Sequence, residues 1–346
     1  MKKNFLINFF ISIKKLKIYK FILKYFVKFF YDFIWEYIVN FYGKILYFLW
    51  FSKKRDFIDL GSNDKKLVQN NLEFKALAKK IYDYADKNII EKSRAELSSG
   101  NISRGNPTNS GVYTYSQGIF NRLSLDLQKE IFSLAHSDLL ISTVSKYLKV
   151  FPILDKVIVG HNIPSQPDKV RGAMLWHKDD FGYRSMDLFM AISDIDKQNG
   201  PLKAVIKKSE LGIFSKSNEE NKHQNMTGER GKIGTNHFEN LNSNNVAILE
   251  GEKGTGLFVD SFTVYHRGGH CLSKDRLMLR FSYQTPDSIR VERLGNGFSV
   301  EYKNLKNSFP KNKFLKYLYE KRPSKFMVFF RKYLLKFYRF AHVKEN

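Results

Sequence analysis

The residues that could do chemistry begin with two side chains set two positions apart, His177 and Asp179. Side chains alternate from face to face along a β-strand or its extended continuation, so both of these point the same way. One strand end can therefore give a metal ion two ligands. A third ligand is available at His266, 89 residues later. Two imidazoles and one carboxylate on one side of an ion, with other positions open, form the arrangement of non-haem Fe(II) sites. The sequence thus predicts an iron centre.

A strand that carries arginines offers the second part of such a site. Residues 276–284 read as a strand in which Arg276, Met278, Arg280 and Ser282 share one face. A guanidinium binds a carboxylate by two parallel hydrogen bonds, which suits the distal end of a 2-oxoacid. Either arginine is alternatively a surface residue whose apolar stem lies along the fold.

Charge is concentrated at the two ends of this 346-residue chain. Residues 1–55 hold 12 Lys and Arg against two acidic residues, and residues 306–346 hold the same numbers. Each end therefore carries +10 of the net +24, and the 250 residues between them carry only +4. A nucleic-acid enzyme would place its positive charge along a central groove, so we expect no nucleic-acid partner.

Both ends mix basic residues with large aromatic ones at helical spacing. Two interpretations stay open, namely that these helices pack on the body or that they lie on an anionic membrane surface. No uncharged run approaches the roughly 20 residues that span a bilayer. The single cysteine, Cys271, excludes an internal disulfide framework and suits a reducing compartment. We expect a cytoplasmic protein, peripheral on the inner face of a membrane if the ends bind lipid.

The periodicity between the ends predicts helices followed by many short strands, which favours an α+β chain with a jelly-roll core. A polar excursion at 209–245 is typical of a lid or binding loop. The expected division is an amphipathic helical arm at 1–55, a catalytic domain at 56–305 with its β core at about 153–290, and an amphipathic helical tail at 306–346. The predicted helices are 63–94, 124–135 and 137–150, and the main predicted strands are 156–160, 187–193, 246–249, 255–261 and 276–284.

Four stretches together resemble the phytanoyl-CoA dioxygenase family, over roughly residues 153–286. They are Leu175-Trp176-His177-Lys178-Asp179, the Ser193–Asp196 segment with Asn199-Gly200-Pro201-Leu202, Asp260 through His266-Arg267-Gly268-Gly269, and Arg276 to Tyr283. The resemblance implies a double-stranded β-helix, with His177, Asp179 and His266 as iron ligands and Arg276 as the anchor of 2-oxoglutarate. His270 with Arg280 and Ser282 gives an alternative register. We prefer His266 with Arg276 because the His-Arg-Gly-Gly context matches the family.

The activity that the resemblance implies is that of an Fe(II)- and 2-oxoglutarate-dependent dioxygenase. Asp179 favours hydroxylation, since halogenating relatives have a small residue there, and we expect a small-molecule, lipid or glycan-linked substrate. The chain departs from the family at 203–210, where a Pro-Gly-Ser-His segment is missing. We do not expect His161 to reach the co-substrate. The alternatives are a jelly-roll binding protein without turnover and a structural protein of the membrane surface.

Overall fold

The computed structural model describes residues 36–53, 55–60, 65–99, 116–164, 176–177, 185–205, 246–261 and 264–285. The first 35 residues of the predicted arm, the predicted tail at 306–346 and the excursion at 209–245 lie outside these residues.

Helices precede most of the strands in the described residues. The helices are α1 (Glu36–Phe51), α2 (Leu72–Asn88), α3 (Ile90–Ser98), α4 (Leu125–Ala135) and α5 (Asp138–Leu148). The strands are β1 (Lys65–Val68), β2 (Ser116–Gly118), β3 (Ile153–Asn162), β4 (Ser185–Ala191), β5 (Lys203–Val205), β6 (Val246–Ile248), β7 (Gly256–Val259), β8 (His266–Arg267) and β9 (Arg276–Gln284). The mixed α+β class, the two helices predicted at 124–150 and the bounds of β9 are confirmed.

Polar side chains fix where three of the helices begin. Asn71, Ser124 and Ser137 each accept a hydrogen bond from the backbone N–H three residues later, which satisfies one of the free donors of the first turn. The helix predicted from residue 63 is wrong over residues 65–71. Residues 65–68 instead form β1, and Asn70 then turns the chain with a φ of 60° before Asn71 caps α2.

The strands form two antiparallel sheets. The larger has the order β1-β7-β4-β9-β3-β2 and the smaller has the order β6-β5-β8. β9 lies between β3 and β4, with Leu279 opposite both Val159 and Met190. In the part of the chain that the structure describes, these two sheets do not close into a double-stranded β-helix.

The two faces of the larger sheet pack against different parts of the protein. On one face, alternate residues such as Leu188, Phe281 and Tyr283 pack against the helices in the main hydrophobic core. On the other face, Phe189, Ala191, Leu257, Val259 and Met278 pack with residues of the smaller sheet and its flanks, namely Leu202, Ala204, Leu249 and Val264. The second face therefore bounds a space between the two sheets, which we call the intersheet space.

Helix α1 belongs to the folded body. Its Leu46 and Trp50 are buried in the main core, and the Trp50 indole N–H donates to Ser142 Oγ of α5 at 2.9 Å. The Phe151 backbone N–H also donates to the Gly43 carbonyl oxygen at 3.1 Å. None of the helices that the structure describes is both long and apolar enough to cross a membrane.

His136, at the end of α4, gives a prediction about stability and pH. Burial lowers the pKa of this imidazole to about 4, although its Nδ1 bonds to the Phe132 carbonyl oxygen. As pH falls below about 6.5, the pKa of this imidazole in the unfolded chain, the unfolded chain therefore takes up a proton at His136 before the folded protein does. Stability that is present above that value is lost as pH falls toward 4. Between pH 7 and pH 5 the wild type should lose about 2 kcal/mol more unfolding free energy than His136→Gln. Urea unfolding at both pH values measures this difference, and equal losses would contradict the assignment.

Candidate active site

Two of the three predicted iron ligands lie side by side. His177 and His266 form an isolated antiparallel bridge in which each backbone N–H donates to the other residue's carbonyl oxygen at 3.0 Å. Their ring centroids are 4.3 Å apart with an interplanar angle of 48°. Directly paired residues present their side chains on the same face of a sheet. The bridge therefore places both imidazoles on one face.

That face is the one toward the intersheet space. Val264, two residues before His266, packs among the apolar residues of the intersheet space. Ala204, which is paired with His266, packs there too. Trp176 precedes His177 and packs on the opposite side with Val205. Alternation along a strand then directs both imidazoles inward, and His266 is only 3% exposed.

The surroundings of His266 suit a metal ligand. Its Nδ1 lies 3.3 Å from the Val264 carbonyl oxygen. A carbonyl only accepts hydrogen bonds, so a proton on Nδ1 satisfies this contact and makes Nε2 the unprotonated nitrogen of the neutral ring, which is the form that binds metal ions. Ligating histidines usually fix their orientation by such a bond. The donor set therefore fits an iron ion at the imidazole pair.

Asp179, the predicted carboxylate ligand, lies outside the described residues. Within the described ranges, no three His, Cys, Asp or Glu side chains are grouped so as to hold a metal ion. The assignment of His177, Asp179 and His266 as an iron triad thus stays a prediction, of which the structure brings two members together.

Arg276 is buried at the start of β9, 4% exposed. Arg276 shares its strand face with Met278, which packs against the apolar residues of the intersheet space. The stem of Arg276 therefore enters the same space as the two histidines. Its Nη1 donates to the carbonyl oxygens of Gly269 at 3.0 Å and Asn199 at 3.4 Å. The guanidinium is thereby tied to two turns that come from different parts of the chain.

Those two turns are the Asn-Gly-Pro and His-Arg-Gly-Gly stretches, and their backbones touch. Gly200 has a φ of 63°, which favours glycine, and a Cβ there would collide with the His270 carbonyl group. A Cβ on Gly269 would lie 2.6 Å from the Pro201 carbonyl oxygen and still closer to Gly200. Cys271, buried beside them, donates from Sγ to the Asn199 oxygen at 3.0 Å. The glycines in both stretches therefore permit a contact that larger residues would prevent.

The alternative pair, His270 and Arg280, has different surroundings. Arg280 donates from Nη2 to Asp187 Oδ2 at 2.5 Å, and the Asp187 side chain is 1% exposed. This guanidinium is thus already engaged by an internal carboxylate. The His270 backbone lies against Gly200. Burial, and to a smaller extent the positive charge of Arg276, lowers the pKa of the His270 imidazole. The backbone partner of His177 is His266.

Three features of this region were missed in the sequence. Asp187 was not recognised as the partner of Arg280, and Asn199 was read only as a turn residue. His161 lies on the helix side of the larger sheet, where it contacts Ser93 and Asp275. No local pattern marks these contacts, because each joins residues at least 68 positions apart.

No protein-family model matches the sequence, and a search of curated proteins gave no match. Three similar solved structures are a non-haem monooxygenase, ThoJ, as a nickel complex; EctD from S. alaskensis with 2-oxoglutarate and 5-hydroxyectoine; and the epimerase SnoN with Fe3+, alpha ketoglutarate and nogalamycin RO. Each is 12% identical to this chain. The matches cover 64%, 64% and 60% of this chain and 74%, 72% and 84% of those chains, with TM-scores of 0.37, 0.39 and 0.36. At such values, the chemistry of this chain has to be argued from its own residues.

The contact between the turns predicts a large effect of one methyl group. Gly269→Ala must push apart two backbones that touch, and overpacking of this kind costs about 1–3 kcal/mol. We expect Gly269→Ala to lower the unfolding free energy by that amount in urea titrations. Gly118→Ala is the matched control, because nothing lies within 4 Å of a Cβ at Gly118. Equal stability of the two variants would show that the turns do not touch.

Proposed function

We propose that the protein is an Fe(II)- and 2-oxoglutarate-dependent dioxygenase that hydroxylates a small-molecule, lipid or glycan-linked substrate. The observation that supports this most directly is the pair of imidazoles, His177 and His266, directed into the intersheet space that Arg276 also enters. We further infer that the two sheets are parts of a double-stranded β-helix.

In the proposed site, His177, Asp179 and His266 hold the iron. When bound, Fe(II) and 2-oxoglutarate would supply the hydroxylating chemistry with dioxygen as the oxidant: one oxygen atom would enter the substrate as a hydroxyl group, and the other would enter succinate as 2-oxoglutarate loses CO₂. Arg276 binds the distal carboxylate of the co-substrate through its guanidinium, while its bonds to the Gly269 and Asn199 carbonyls hold its position. The apolar residues of the intersheet space, such as Val264 and Met278, limit the access of water and so strengthen the ionic contact.

The choice of Arg276 over Arg280 follows from charge. Asp187 compensates the charge of Arg280 at 2.5 Å, and a second carboxylate beside that pair would be repelled by Asp187. The choice of His266 over His270 follows from the backbone bridge to His177. Both choices agree with the register preferred from the sequence.

Iron binding tests the ligand assignment. We expect His177→Ala and His266→Ala to lower Fe(II) affinity by at least about a hundredfold, because each removes a direct ligand. Anaerobic titration measures the Fe(II) affinity. Uncoupled turnover of 2-oxoglutarate to succinate is measured separately, in the presence of dioxygen. His270→Ala is the matched control and should leave both within about twofold of wild type.

Different failures of that experiment identify different rivals. Iron binding without any turnover of 2-oxoglutarate would favour the binding protein that resembles an oxygenase. Loss of iron in His270→Ala instead of His266→Ala would favour the other register. Wild-type protein that binds no iron would reject the site altogether.

We also propose that the protein lies on an anionic membrane surface facing the cytoplasm. Support comes from α1, where Phe41, Ile45, Phe48 and Leu49 lie at helical spacing and are 52%, 39%, 71% and 52% exposed. The opposite side of α1 is fixed to the body by Leu46 and Trp50. These four exposed residues, which we call the exposed stripe, lie within the segment 1–55, whose net charge is +10. A lipid surface of negative charge complements both features.

Vesicle binding by the full chain tests the stripe. Phe48→Asn with Leu49→Asn should weaken binding to phosphatidylglycerol vesicles by about tenfold or more, because two large apolar side chains no longer enter the interface. Leu72→Asn is the control, since Leu72 is 82% exposed on another helix. Unchanged flotation of the double variant would reject the membrane surface. A loss of dimer in its place, seen by gel filtration, would assign the stripe to a contact between two copies.

A further inference from the structure

A chain of hydrogen bonds lies on the face of the larger sheet away from the candidate site, and it is buried at its Ser93–His161 end. His161, fully buried on β3, has its Nδ1 2.7 Å from Ser93 Oγ and its Nε2 2.8 Å from Asp275 Oδ2. Arg94 Nη2 donates to the same oxygen of Asp275 at 2.8 Å. His161 of β3 and Arg94 of α3 therefore meet at the Asp275 carboxylate, and Ser93 is linked to it through His161.

The protonation pattern follows from the partners. A carboxylate only accepts, so His161 carries a proton on Nε2 for Asp275, and Ser93 donates to the other ring nitrogen when the imidazole is neutral. Burial by itself would raise the pKa of Asp275, but the hydrogen bonds from His161 and Arg94 outweigh it and hold this pKa below its usual value. Asp275 is therefore a fixed anion with two donors at one oxygen.

The serine, histidine and aspartate have the order of a hydrolytic triad, yet they cannot serve as one. Ser93 is 0% exposed and its hydroxyl is directed into the core between α3 and β3. A nucleophile must reach a substrate carbonyl. The network therefore has a different role.

Asp275 connects the network to the candidate site through the backbone. It directly precedes Arg276, and consecutive residues of an extended chain direct their side chains to opposite faces. The Asp275 carboxylate thus anchors the helix side while Arg276 enters the intersheet space. On that second side, Asn199 Nδ2 donates to the Asp275 carbonyl oxygen at 2.6 Å, and the Asn199 carbonyl accepts from Arg276.

We propose that His161 and Asp275, with Arg94, are positioning residues that fix where Arg276 enters the intersheet space and thereby set the affinity for the 2-oxoacid. This inference rests on the proposed function, because it takes Arg276 as the co-substrate anchor. The start of β9 is bonded to His161 and Arg94 on one side and to Asn199 on the other. A displacement of Asp275 therefore moves the backbone of Arg276 with it. A misplacement of about 1 Å is enough to weaken a bidentate contact substantially.

Asp275→Ala in the full chain is the central test, with Asp155→Ala as its matched control. Asp155 is a buried carboxylate at the other end of the same strand pair, where Gln284 Nε2 donates to it at 3.0 Å. We expect Asp275→Ala to raise the dissociation constant for 2-oxoglutarate, measured by calorimetry with Fe(II), by about tenfold. Its KM should rise in parallel, while kcat and Fe(II) affinity stay within about twofold. Asp155→Ala should change none of these.

The conservative variant Asp275→Asn supplies the rescue. Its amide oxygen can accept both bonds that Oδ2 now accepts, so most of the affinity should return although the charge is lost. Amide hydrogen exchange gives a reading that needs no co-substrate. Exchange across residues 269–278 should speed up in Asp275→Ala and not in Asp155→Ala.

The outcomes separate the two proposals. If Asp275→Ala is destabilised as much as Asp155→Ala but keeps wild-type affinity and exchange, the network is structural only and the inference is overturned. If wild-type protein binds no 2-oxoglutarate and Arg276→Ala changes nothing, the proposed function fails. Faster exchange confined to Asp275→Ala would still support the positioning of Arg276 in that case, and unchanged exchange would reject it.

Discussion

The backbone contact between Gly200 and Gly269 is the constraint on which the rest of the site depends. One glycine leads through Pro201 and Leu202 into β5, and the other follows β8. Their contact fixes the ends of two neighbouring strands, and Ala204 then pairs with His266. The same contact presents the Asn199 and Gly269 carbonyls to Arg276. A single close approach thus sets both the imidazole strand and the guanidinium.

The intersheet space combines an apolar lining with charged groups, and the fold handles each charge separately. Burying an unpaired ion is costly. Arg280 is compensated by Asp187 within the same sheet, and the Asp275 anion is kept on the opposite face with His161 and Arg94. Each of these two carboxylates thus has an arginine beside it, Arg280 for Asp187 and Arg94 for Asp275.

The sequence predicted the parts of the fold that depend on short-range pattern. Alternation predicted the bounds of β9, and helical periodicity predicted α4 and α5. It failed at β1, where a short amphipathic run was continuous with the helix that follows and only pairing with β7 decides its conformation. The proximity of His177 and His266, though not their direct backbone pairing, followed from spacing and resemblance. The network of Ser93, His161 and Asp275 did not, because a contact between distant residues leaves no local signal.

Helix α1 changes how the basic N-terminal arm has to be understood. The composition of residues 1–55 is that of a separable appendage, yet Leu46 and Trp50 lie in the main core, where replacing each by alanine would cost about 2–5 kcal/mol. A protein cut at residue 56 would lose that packing, so its loss of lipid binding would be confounded with loss of stability. The packing also means that the exposed stripe is held at a fixed angle to the two sheets. A membrane contact through Phe48 and Leu49 would therefore orient the whole site, and substrates that partition into the lipid surface would approach it from one side.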